Sequence, residues 1–309
     1  MGTYILRRIL QTIPVLIGVA LIAFLLTDLS GDPVRQMLGP KANPVMVARV
    51  KEHLGLDKPF LTRFSKHIIN MSQGELGFSL ANDGKPVRDM IRDGFKVTIK
   101  VTMGAIFIAM TLGLLLGILS ARFPGTIIDY ASSAFAALGI SFPAFFMGML
   151  LLLVFAVTLE WVPIGGYQPG SIKHLILPCV TLGLLSTASI SRLTRNCLLE
   201  SLSMDYIRSA RAKGQGVWRV MLGHAFPNAL VPVVTVMGND FAALLAGAVL
   251  TETVMQIPGI GSVIYEAIGQ RDLPVVTGCC VVFALILVTV NIFVDVLYAF
   301  LDPRIRHAE

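Results

Sequence analysis

The sequence predicts an all-α membrane protein of six transmembrane helices, with both termini cytoplasmic and a small helical segment outside the membrane after the first span. Three observations carry this. Of 309 residues, 55% are hydrophobic and only 14% charged, with mean hydropathy +0.75, more apolar surface than one soluble core of this size would bury. Long uncharged runs alternate with charged loops, as expected when an ionised side chain at the bilayer centre costs roughly 2.5–3.5 kcal/mol. The basic residues gather in alternate loops, so the net charge of +6 reads as membrane topology, with no nucleic-acid partner implied.

Arg7 and Arg8 precede an apolar stretch over residues 9–29, long enough to cross a bilayer and oriented with its start inside. A signal peptide shares the charge order, but its apolar region is shorter and ends in small residues. This one ends in Thr27, Asp28, Leu29, Ser30, Gly31, Asp32 and Pro33, so residues 1–30 read as a retained anchor. The polar segment 31–94 then lies outside. Asn43 and Pro44 suit a helix start, Val47, Val50 and Leu54 follow at helical spacing, and Gly55 suits the stop. After Pro59, Phe60, Phe64 and Ile68 repeat every four residues, a second amphipathic helix. A third short helix is expected from Pro86. Apolar stripes need something to pack on, so the segment reads as a small helical cap.

Residues 95–309 form the remaining core, with apolar stretches at 95–121, 131–158, 174–192, 227–251 and 275–301. Charge supports the even count. Arg122, then Arg192, Arg195, Arg208, Arg211, Lys213 and Arg219, then Arg304 and Arg306 all fall in segments assigned to the cytoplasm. Trp161 and Tyr167 fit headgroup depth on the outer side. Glycines such as Gly104, Gly113, Gly117, Gly183 and Gly238 let helices approach closely, which indicates a packed bundle. Pro143, Pro178 and Pro232 are expected to interrupt spans, a feature tolerated where freed backbone groups are buried in protein or line a cavity.

Catalysis finds no support. No G-x-x-x-x-G-K-[ST] phosphate loop is present, so the chain should not itself bind ATP. His53, His67, His174, His224 and His307 are scattered, and Cys179, Cys197, Cys279 and Cys280 form no spaced metal or redox pairs. Polar groups inside spans are the remaining signal. Asn239 and Asp240 interrupt the fifth span, where a carboxylate facing lipid would be costly, so Asp240 either lines a path or is a hydrogen-bonded structural acid. Glu252, at the outer end of that span, is a candidate to meet substrate or a partner protein. Asn291, Asp295 and Tyr298 share one face of the last span, a stripe suited to bonding neighbouring helices.

The loop between the fourth and fifth spans is the most informative segment. Asp205 and Lys213 sit at the ends of a short helix that favour their charges, and Gly214 permits the left-handed turn that stops it. Ala210 and Ala212 keep its surface small, leaving room for close approach by another protein. The order Asp205-Tyr206-x-Arg208-x-Ala210-Arg211-Ala212-Lys213-Gly214, followed by Arg219 and by Asn228-Ala229, resembles the EAA-type coupling loop of ABC importer permeases. Ser209 stands where the general motif has Glu, a variation associated with the peptide and nickel branch. Leu54 to Phe60, Gly74 to Ser79, Ile140 to Ala144, Pro258 to Gly261 and Asp302 to Arg306 resemble the dipeptide, oligopeptide and nickel permeases of the bacterial inner membrane.

That resemblance covers nearly the whole chain and implies a fold and a set of partners. It implies the type I importer permease fold, a second homologous permease, two ATP-binding subunits carrying ATP and Mg, and an extracytoplasmic binding protein. No cofactor is expected in this chain. Short peptides are the expected substrates, with nickel, a metal chelate or glutathione as alternatives. An ion-driven secondary transporter would need acidic sites deep in two repeated halves, and no such repeat is visible. A purely structural scaffold would leave the 203–214 loop unexplained.

Overall fold

The computed structural model describes residues 2–29, 34, 43–54 and 57–301. Among them, regular structure is helical apart from one isolated bridge between Phe78 and Pro86. The helices in order are α1 (Gly2–Leu29), α2 (Pro44–Leu54), α3 (Phe60–Ser72), α4 (Val87–Arg122), α5 (Ile127–Ser141), α6 (Ala144–Leu151), α7 (Lys173–Ser203), α8 (Asp205–Ala212), α9 (Val217–Val220), α10 (Phe226–Val254), α11 (Ile260–Gly269) and α12 (Leu273–Leu301). Stretches of π-helix follow α6 at Leu152–Thr158 and α9 at Met221–Ala225. By length and composition four helical stretches suffice to cross a membrane, and α5 with the helix after Pro143, bent by 107°, supplies a fifth as a broken span. The described apolar stretch of α1, Leu10–Leu26, is shorter.

The chain divides into two compact units, Met1–Val97 with Pro258–Thr289, and Thr98–Ile257 with Val290–Glu309. In the first, the Asn43 side chain accepts the Val45 N–H at 3.0 Å and so caps α2. Gly55, its expected stop, lies outside the described residues. The apolar stripe of α3 packs on α1: the Phe24 ring lies 5.4 Å from Phe60, 5.6 Å from Phe64 and 5.1 Å from His67. No separate third short helix starts at Pro86. That proline instead leads into α4, whose 36 residues contain no proline and run about 54 Å. Such a helix overshoots a hydrocarbon core of about 30 Å, so several of its turns extend beyond it. The turn before it is held by Asp272, which is fully buried and accepts the Ser79 hydroxyl and the N–H groups of Leu80 (3.1 Å) and Ala81 (3.2 Å).

The second unit is built around α7, the most enclosed of the long spans, with α5, α6 and α10 packed on it. A Cβ on Gly117 of α4 would stand 2.6 Å from the Thr194 Cβ and 2.8 Å from the Ser191 carbonyl, so only glycine lets these two helices meet at that distance. Of the three expected proline breaks, only Pro143 is one. Phe142 before it is extended (φ −101°, ψ 135°), as a residue preceding proline prefers. Pro178 and Pro232 lie inside continuous helix, Pro178 in the second turn of α7 and Pro232 in a run that begins at Val217, and each leaves only one carbonyl of the preceding turn without its donor.

Candidate functional site

α7 runs beyond a membrane's thickness to Ser203, Met204 turns extended (φ −73°, ψ 153°), and α8 begins at Asp205. The alternation of residues fixes how α8 sits. Ile207 and Ala210, three apart and so on one face, are buried in a cluster with Ala121 of α4, Leu198 of α7, and Val220, Ala225 and Ala229. Asp205, Tyr206, Arg208, Arg211, Ala212 and Lys213 remain exposed. The small surface expected at Ala210 is therefore corrected. Its methyl faces the chain's own core, because only a small side chain fits between α8 and the helices beneath it.

The exit from α8 is set by backbone and side-chain bonds together. Gly214 has φ +75°, the left-handed conformation that favours glycine. The Asn228 amide donates to the Tyr206 hydroxyl at 3.0 Å and to the His224 carbonyl at 3.1 Å, while the His224 ring lies 2.6 Å from the Gln215 side-chain oxygen. These bonds tie the outward-facing helix to the start of α10. Arg208 reaches Asp205 at 3.2 Å, an exposed pair that contributes little.

A second anchor was not foreseen. Asp129, buried at the start of α5, accepts both Arg195 Nε (2.6 Å) and Arg195 Nη2 (2.8 Å), the Ser120 hydroxyl, and the Gly125 N–H at 2.9 Å. A bidentate guanidinium–carboxylate pair with its other lone pairs satisfied is geometrically specific. It fastens α4, α5 and α7 together one turn before Leu198 meets Ile207.

The intramembrane candidates are not brought together. Asn239 is exposed and Asp240 half-buried on α10, about 18 Å along the helix from Glu252. Glu252 does not occupy the accessible position expected of it: it is fully buried, and the Thr98 hydroxyl donates to its carboxylate at 2.6 Å. A desolvated carboxylate needs such a donor. Asn291 is exposed, while the side chains of Asp295 and Tyr298 and the terminal Asp302 to Arg306 segment lie outside the described residues. Among the described residues, no three His, Cys, Asp or Glu side chains form a metal-binding group.

The family described as binding-protein-dependent transport system inner membrane component matches residues 113–307, and its N-terminal membrane component matches residues 1–102. The chain is 39% identical over 314 residues to the probable peptide ABC transporter permease protein y4tP of Sinorhizobium fredii, covering 99% of this chain and all of that one. It is 38% identical over 334 residues to the dipeptide transport system permease protein DppB of Alkalihalophilus pseudofirmus, and 40% over 308 residues to the glutathione transport system permease protein GsiC of Escherichia coli; each match covers 99% of this chain and 100% of the relative. Among solved structures, the MetNI methionine ABC transporter in inward-facing conformations aligns over 69% of this chain and 96% of its own, with TM-score 0.58 at 20% identity, a likeness of fold.

Proposed function

The chain belongs to the family of inner membrane components of binding-protein-dependent transport systems, and on that premise we propose that it carries short peptides inward at the expense of ATP hydrolysed on separate subunits. It is a multi-pass permease subunit and not itself a catalyst. The observation that supports the coupling role is α8, seated by Ile207 and Ala210 on its own chain while Tyr206, Arg208, Arg211, Ala212 and Lys213 stay exposed. A helix fastened on one face and presented on the other transmits a push from a docked partner into the spans beneath it. The full assembly in this reading has a second homologous permease, two ATP-binding subunits holding Mg-ATP, and an extracytoplasmic binding protein. Both termini lie inside, with α1 as the first of six spans. A cysteine at position 70, in a chain without Cys179, Cys197, Cys279 and Cys280, should then label from outside intact cells; labelling only after lysis would contradict that topology.

Short peptides are the substrate class favoured by relatives named for dipeptides and peptides at 38–39% identity over the full length. Glutathione, named for a relative at 40%, is itself a tripeptide and fits the same reading. Asp240, half-buried on α10, suits the ammonium end of a peptide, because a carboxylate held in a membrane path is stabilised by a cation. Glu252, shut away beside Thr98, takes no part. Uptake of a labelled dipeptide by cells expressing the whole transporter, in competition with a longer peptide, glutathione and nickel, tests the proposal. Competition by peptides but not nickel is expected, with Asp240→Asn raising the apparent KM about ten-fold for one lost charge-assisted hydrogen bond. Uptake of nickel alone, or wild-type peptide kinetics in Asp240→Asn, would contradict the substrate class or the residue respectively.

A further inference from the structure

At the end of the second unit that carries α8, the last turn of α4, the middle turns of α5 and the later turns of α7 line a cavity of about 230 Å³. Its polar lining is Ser132, Ser133, Ser191, Arg192, Arg195 and Asn196, together with Ser120, whose hydroxyl is given to Asp129, and Ala136 and Ala137 complete the wall. No carboxylate lines it, and Asp129 commits both oxygens to Arg195. Arg192 and Asn196 lie one turn apart on α7, both are exposed, and Arg192 forms no ion pair among the described residues. The cavity is therefore a positively charged cup of hydroxyl, amide and guanidinium donors.

Its depth identifies the source of the anion. Counted from Lys173 at about 1.5 Å per residue, Arg192 lies roughly 30 Å along α7, the thickness of a hydrocarbon core. With Lys173 at the outer surface, Arg192 stands at the headgroup level of the cytoplasmic leaflet, where basic pockets between helices meet anionic lipid. The same α5 that lines the cup leaves Tyr130 and Leu138 exposed, at 69% and 59%, an apolar flank along which acyl chains can run. The cup is also too small for a whole ligand of drug size, for which pockets of about 300–1,000 Å³ are usual, but large enough for one headgroup.

We infer that this cavity binds the phosphate of an anionic phospholipid of the inner leaflet, with Arg192 as the principal cation and the serine hydroxyls and the Asn196 amide as neutral donors. The site holds α5 against α7 directly beside the Asp129–Arg195 pair, so an occupied cup braces the same junction that carries α8.

The test uses the complete transporter with its partner subunits, exchanged into vesicles of phosphatidylglycerol and phosphatidylcholine and then analysed by native mass spectrometry. Wild type should retain phosphatidylglycerol selectively. Arg192→Gln should reduce that retention about ten-fold, the loss expected for one guanidinium–phosphate interaction, and Asn196→Leu should reduce it less, with assembly intact in both. Inorganic phosphate should not displace the lipid. Equal displacement by inorganic phosphate, or its binding in lipid-free detergent, would assign the cup to a free anion and overturn the lipid source. Unchanged lipid retention in Arg192→Gln with a raised KM for peptide would make it a substrate-carboxylate site and overturn the inference, as would unchanged behaviour in every arm.

Discussion

At Gly214 the structure isolates a backbone effect. Its φ is +75° and no atom lies within 4 Å of where a Cβ would stand, so Gly214→Val adds left-handed strain of about 1–2 kcal/mol and no collision. The variant should insert and assemble normally, yet show ATP hydrolysis that loaded binding protein no longer stimulates; undiminished stimulation would separate the turn from coupling. Asp129 carries the opposite kind of effect. Asp129→Asn leaves the Arg195 guanidinium in a partly buried site without its counter-ion, a loss of about 3 kcal/mol, so thermal unfolding of the purified complex should shift several degrees downward. An unchanged midpoint would show that the pair is not a stabilising anchor. Arg195 was visible in the sequence as a topology marker, but Asp129 lies 66 residues away on another helix, and nothing local announces the pairing. Ala210 was misread for a related reason. A small residue suits either an external or an internal contact, and its spacing of three from the apolar Ile207 was the available sign that it faces inward.

Among the elements, helical periodicity located α2, α3 and α8 because each has one apolar face and a recognisable boundary residue. It failed where a boundary residue has two meanings. Pro86 opens a helix that does not stop, since a proline before a helix starts it and only one inside can interrupt it. Of the three prolines within apolar stretches, Pro143 follows an extended residue and turns the chain, whereas Pro178 and Pro232 are carried inside continuous helix, Pro232 well after its run begins at Val217. The docking of α3 on α1 gives a prediction with pH. Burial beside Phe24 pushes the His67 imidazole below its ordinary value of 6.5, and its Nε2 has no hydrogen-bond partner, so the docked state holds the neutral ring. The undocked segment takes up protons first as pH falls below about 6.5. Docking stability is thus complete above that value and weakens towards pH 5, which hydrogen exchange along α3 should register as faster exchange. His67→Phe should remove the dependence, while identical pH profiles for both chains would contradict it.

At the scale of the whole second unit, α8 is joined to the long helices by continuous packing: Ile207 and Leu198 share one buried cluster, Leu198 lies one turn from Arg195, and Arg195 pairs with Asp129 of the bent α5. The all-helical membrane character, the short exposed helix at Asp205–Ala212 and the family were legible in the sequence, because hydropathy, charge and a short motif are local signals. The orientation of α8, the burial of Glu252 and the Asp129 anchor were not, because each depends on residues brought together from distant parts of the chain. The most direct test of the central claim places single cysteines at Ser209 and Ala212, both exposed, and at Ile207, which is buried, in a chain lacking its four native cysteines, and cross-links each within the assembled transporter. Positions 209 and 212 should join to the ATP-binding subunit, with yields that change when ATP is bound, and position 207 should not. An assembled complex that hydrolyses ATP and yet gives no adduct from 209 or 212, or gives its adduct from 207, would contradict the docking of that subunit on the outward face of α8.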